Sequence, residues 1–204
     1  MRTFLVAILL TLAVPLSGHG QSADLVLCDR VAADPSDPDK PADVRGATEI
    51  AASDVATAIK FCKQAAPSSR RAMFALGRAY AANRQPADAM AAWRKAADKG
   101  SSAAMVELGV AYGTGSGVAR DEAQARKLFE KAAQAGNPRG ISNLAALGGS
   151  GGAAPADPAQ ARALLGKAAE TNAEAQYQLG MMLSEGTGGA KDDAAARALF
   201  EKAA

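Results

Sequence analysis

The chain has 204 residues, with 23 Lys and Arg against 21 Asp and Glu and a single histidine, His19. So even a balance gives no general attraction to nucleic acid or anionic lipid, and neither is expected as a partner.

Met1-Arg2 is a short basic start, Phe4 to Leu16 is an apolar run, and Gly18-His19-Gly20 supplies small residues before a cleavage point. Together they read as a secretory signal peptide over residues 1–20. The apolar run contains Pro15 and is short for a bilayer span. A lipid anchor on Cys28 is disfavoured by the bulky Leu25-Val26-Leu27 before it. Residues 21–204 are therefore expected to be exported and to have no stable membrane insertion after cleavage. Loss of Arg2 and His19 leaves 22 basic against 21 acidic residues and no imidazole. That removes Ser-His and Cys-His nucleophile pairs and histidine metal sites, so no catalytic residue, metal or cofactor is expected.

Residues 21–67 differ in texture from the rest. Cys28 and Cys62 would meet an oxidising compartment, where an intramolecular disulfide is the natural reading; metal thiolates and buried free thiols are the alternatives. DPSDPDKPAD, residues 34–43, reads as a loop and lacks the Gly and Glu that a calcium loop needs. Ser53 is a candidate N-cap for a helix running to about Ala66, with Val55, Ile59 and Cys62 on one face. DVATAIKFCKQAA lines up with DEAQARKLFEKAA further on, so this helix reads as the second helix of a hairpin without its partner. A Cys28–Cys62 bridge would make the segment a cap for an open helical array.

From about Ser68 the chain repeats. Trp93, Phe129, Leu165 and Phe200 form one column with spacings of 36, 36 and 35 residues. Leu76, Leu108, Leu144 and Leu179 form another, followed by Gly77, Gly109, Ala145 and Gly180. Four helix-turn-helix units follow, each with a small-and-large apolar stripe. Three glycine-rich loops, GTGSGVARD, GGSGGAAPADP and GTGGAKDD, each end at an aspartate eight residues before the aromatic column: Asp121, Asp157 and Asp192. Those aspartates are expected N-caps, and the glycines turn punctuation. A phosphate loop would follow a strand and carry Lys after its last glycine, which these do not. Gly148-Gly149-Ser150-Gly151-Gly152 matches the G-x-S-x-G nucleophile elbow only formally, with a helix before it and no histidine to take the proton.

The second unit, AMVELGVAYGTGSGVARDEAQARKLFEKAAQAG, resembles the Sel-one-like repeat, a tetratricopeptide-like α/α hairpin. The fourth unit agrees except for Leu183 in place of Tyr, the third is degenerate at Ala145 and Gly148, and the first has a loop four residues shorter. The resemblance implies an all-α, right-handed α/α solenoid of four helical hairpins over residues 68–204, capped by residues 21–67. It implies a non-catalytic protein- or peptide-binding adaptor or regulator in the bacterial periplasm or secreted from the cell. A weak penicillin-binding hydrolase and a cell-wall glycan binder are the alternatives. In the tetratricopeptide arrangement the first helix of each hairpin lines a concave groove. Its positions fall here on Arg71, Phe74 and Arg78, on Val106 and Val110, on Arg139 and Ser142, and on Tyr177 and Met181, with Ala103, Ala146 and Glu174 beside them. The groove would be basic towards its N-terminal end, which suits an extended or helical peptide of acidic character. Leu199 and Phe200, on the last helix of the sequence, suggest self-association through the C-terminal repeat.

Overall fold

The computed structural model describes residues 22–148, 158–170 and 172–204. The signal segment, Asp157 and most of the Gly148–Gly152 motif lie outside them. Among the described residues there are ten α-helices and no strand. They are α1 (Ala23–Ala32), α2 (Val55–Ala65), α3 (Arg70–Ala82), α4 (Pro86–Asp98), α5 (Ser102–Thr114), α6 (Glu122–Gln134), α7 (Pro138–Gly148), α8 (Pro158–Ala168), α9 (Ala173–Glu185) and α10 (Asp193–Ala203). The chain is an all-helical solenoid. From α3 onward each odd-numbered helix pairs with the next to make the four expected hairpins.

The two sequence columns meet inside these hairpins. A Cβ placed on Gly77 would lie 2.3 Å from the Trp93 indole, one on Gly109 2.5 Å from the Phe129 ring, and one on Gly180 2.6 Å from the Phe200 ring. Each glycine thus gives its helix a flat spot on which the aromatic of the next helix rests, at a spacing that a side chain would forbid. In the third unit the column holds Leu165, fully buried against Ile141, Ala161, Ala175 and Met182.

Polar side chains start most of the helices. Ser69, Ser101 and Asn172 accept from backbone N–H groups of α3, α5 and α9, and Asn137 Oδ1 accepts from Gly140 N–H in α7. Asp121 and Asp192 cap α6 and α10 at 2.9 Å, as their positions before the aromatic column predict. Gly115 and Gly186 end α5 and α9 in the left-handed region, at φ 77° and 74°. Both described copies of the glycine loop are therefore helix terminators.

The N-terminal segment departs from expectation. The helix carrying Cys62 has a partner: α1 packs against it, so the cap is itself a hairpin with a long connection. Ser22 caps α1 through Leu25 N–H, and Leu25, Cys28 and Ala32 follow at helical spacing. Asp54 rather than Ser53 occupies the N-cap of α2, without a side-chain capping bond. Cys28 and Cys62 are joined in a disulfide, both fully buried among Ala32, Ala58, Ala72 and Leu76.

Candidate functional site

Helices α1, α3, α5, α7 and α9 form one layer and the even-numbered helices the other. Odd-numbered neighbours pack on each other as well as on the even-numbered helices, as in α5 with α7 and α7 with α9. Among the described residues, no two even-numbered helices pack on each other to a comparable extent. The odd layer therefore follows the tighter curve and forms the inside of the solenoid. A concave groove of about 860 Å³ opens there. Arg78 of α3, Glu107 of α5, Arg139 of α7 and Glu174 of α9 line it, faced by Asp34 and Thr48–Ile50 from the connection between α1 and α2. A second hollow of about 450 Å³ adjoins it, shares Ala81, Trp93 and Glu107, and is lined further by Met90, Val110 and Arg84.

The residues placed in a groove by resemblance separate into three groups. Phe74 is 1% exposed, packed with Met73, Ala96, Ala103 and Ala104, and Val106 is fully buried against Phe129 and Ala132. Both are core residues between hairpins. Phe74 packs against α4 and the start of α5, and Val106 against α6, so neither lines the groove.

Arg71 and Arg78 do face the inner side, but the cap covers them. Arg71 pairs with the buried Asp29 of α1, Nη2 to Oδ2 at 2.8 Å. Arg78 donates to the carbonyl oxygens of Ala32, Ala47 and Thr48 at 2.7–2.8 Å and pairs with Asp34 at 3.3 Å. Burial weakens the hold of Arg78 on its proton, and the Asp34 carboxylate is the main opposing influence. Arg70 adds a bidentate pair with Asp39, both bonds at 2.6 Å. The expectation of a basic N-terminal end is thereby corrected: the aspartates of residues 29–39 neutralise these arginines from within the chain. Asp37 lies in the same network. Burial, with Asp39 and Asp34 nearby, pushes its carboxyl up to about 6, against the lowering influence of the Asp39 N–H and of Arg71.

The third group remains accessible. Arg139 pairs with Glu107 at 2.9 Å, Ser142 donates to Gln178 at 3.1 Å, and Gln178 donates to Glu174 at 2.8 Å, so one polar link joins α5 to α7 and another joins α7 to α9. Val110 and Met181 are half-buried, and Tyr177 is 48% exposed with its ring 5.7 Å from that of Phe200.

Sequence reasoning missed Trp93 and Glu49 as groove residues. Trp93 sits in the aromatic column and its indole Nε1 is buried over Gly77 with no hydrogen-bond partner among the described residues, yet the ring reaches both hollows. Its size beside the smaller Phe129, Leu165 and Phe200 was the available signal. Glu49 lies on a connection whose path no repeat pattern specifies.

With this geometry the chain can be placed among known proteins. The family model described as Sel1 repeat matches residues 102–137, 138–171 and 173–204, half of the chain. No curated protein matches. Among solved structures, it is similar to a protective antigen of uropathogenic Escherichia coli displaying an SLR fold, at 32% identity and TM-score 0.55, over 71% of this chain and 32% of the other. It is also similar to a Sel1 repeat protein from Oxalobacter formigenes, at 29% identity and TM-score 0.57, over 72% and 44%. A Sel1 repeat protein from Klebsiella pneumoniae subsp. pneumoniae matches at 30% identity and TM-score 0.53, over 70% and 71%. The chain thus spans about a third of the first of these proteins and under half of the second. Three successive family matches on helical hairpins, two of which seat an aromatic ring on a glycine of the partner helix, establish that the chain belongs to the Sel1 repeat family.

Proposed function

We propose that this protein is a non-catalytic scaffold that binds a protein or peptide partner in its concave groove and acts as an adaptor or regulator in the bacterial envelope. Sel1 repeats are generally protein-interaction scaffolds. The observation that carries the reading is the groove itself, which spans α3 to α9 and is held in shape by Arg139–Glu107 and by Ser142–Gln178–Glu174. Side chains already engaged in such bonds lose less entropy on association. The signal-like first 20 residues and the buried disulfide support an envelope setting. The half-buried Leu199 and Phe200 support self-association through α10 as a secondary contact.

The test is a photo-crosslinking amino acid in place of Val110 on the inner face, compared in living cells with one in place of the exposed Lys127 on α6. The reading predicts a discrete crosslinked species from position 110 and none of that mass from position 127. The same species from both positions, or from 127 alone, would overturn it.

A further inference from the structure

The groove is not charge-balanced. Asp34, Glu49, Glu107 and Glu174 line it against Arg78 and Arg139. Both arginines are already engaged within the chain, Arg78 with Asp34 and Arg139 with Glu107. Glu49 and Glu174 are left without a basic partner among the described residues, and Glu174 accepts only the Gln178 amide. Glu49 stands on the connection of the cap and Glu174 on the first turn of α9, so they face the groove from opposite ends of the array. An acidic occupant would bring like charges together here. An apolar one would strip water from two carboxylates and give nothing back.

The adjoining hollow is different in kind. Met90, Trp93 and Val110 make an apolar lining, with Arg84 on its rim. Because Trp93 and Glu107 belong to both hollows, an occupant that crosses from one to the other passes from carboxylates to an indole face within the reach of adjacent side chains.

We infer that the groove binds an extended peptide segment whose Lys or Arg side chains meet Glu49 and Glu174 while an apolar side chain rests on Trp93. The inference depends on the scaffold reading above and adds the chemistry of the partner. Cationic side chains make charge-assisted hydrogen bonds to the two carboxylates, and the apolar side chain removes the indole face from water.

Trp93 is the single tryptophan of the chain, so its fluorescence reports directly on occupancy of the groove. The probes are two short synthetic peptides of equal length, one alternating Lys and Leu and one alternating Glu and Leu, titrated against the mature protein at low and moderate salt. The Lys-Leu peptide is expected to shift Trp93 emission saturably, and Glu49→Gln with Glu174→Gln to weaken it by about tenfold. Glutamine keeps the acceptor for Gln178, and circular dichroism verifies the fold. Glu170→Gln, exposed on another surface, is expected to bind as the parent does. Equal binding of the Glu-Leu peptide, an unchanged affinity in the double variant, or no Trp93 response to either peptide would overturn the inference. The crosslinking contrast between positions 110 and 127 would survive each of these results, so the two readings fail separately.

Discussion

The cap and the repeats solve the same packing problem by different means. In the hairpins α3/α4, α5/α6 and α9/α10 a glycine on one helix receives an aromatic ring from the next, a contact made by shape alone. In the α1/α2 hairpin the equivalent junction is a covalent bond, Cys28–Cys62; Asp29 of α1 pairs with Arg71, and Asp39 and Asp34 tie the connection of about 20 residues to Arg70 and Arg78. Among the described residues the middle hairpins gain stability from neighbours on both sides, as solenoid units do. The cap packs on the first repeat, and a staple with ion pairs reinforces that interface. One consequence is functional: the charges that hold the cap also fill the N-terminal end of the groove, and so set which part stays open.

The sharpest way to break the shape-based side of this contrast is Phe129→Ala. The ring is 4% exposed and rests on Gly109, so its loss should cost about 4 kcal/mol in urea or thermal unfolding. A pair of substitutions sharpens the point. The third unit carries Ala145 and Leu165 where the second carries Gly109 and Phe129. Gly109→Ala alone presses a methyl group into the ring, and Phe129→Leu alone leaves a gap. Combined, they should be more stable than the sum of the two effects predicts, by about 1 kcal/mol in a double-mutant cycle. Strict additivity would mean that the two columns are not packing partners.

On the staple-based side, Cys28→Ala with Cys62→Ala removes a bridge across 34 positions of sequence. The loss should be about 3 kcal/mol, read from the shift of the unfolding midpoint. The ion-pair network contributes a smaller, pH-dependent effect. The Asp37 carboxyl is raised from 3.8 to about 6, so its neutral form is the one the fold accommodates. Its contribution is fully present below pH 3.8 and is lost as the pH rises through about 6. Asp37→Asn, which retains the acceptor for Asp39 N–H, should therefore be more stable than the parent at pH 7 and equal to it near pH 4. Parallel stability profiles for the two proteins would show that Asp37 titrates normally.

The same division decides what could be read in advance. Trp93, Phe129, Leu165 and Phe200 recur at a fixed period because each meets the same kind of surface, and a period is visible in a sequence. Asp121 and Asp192 were visible for the same reason, and the pairing of the two cysteines was expected as well. The helix α1 was missed although Ser22, Leu25, Cys28 and Ala32 carry a cap and helical spacing, because it occurs once and matches no repeat. The groove was read less well still. Phe74 and Val106 hold positions that resemblance assigns to a surface, but burial depends on how tightly successive hairpins curve. Arg71 and Arg78 look like free cations until Asp29 and Asp34, 42 and 44 residues away, fold onto them. Contacts of that range leave no periodic trace.

The central claim is that cap and repeats are fastened by separable means, and the most direct test is where stability is lost when the staple is removed. Hydrogen exchange measured segment by segment on the Cys28→Ala, Cys62→Ala protein provides it. The account predicts faster exchange in α1, in the connection reaching Thr48 and in α2, with α5, α6, α9 and α10 protected as in the parent. Equal loss of protection through α5 to α10, or no loss in α1, would contradict it.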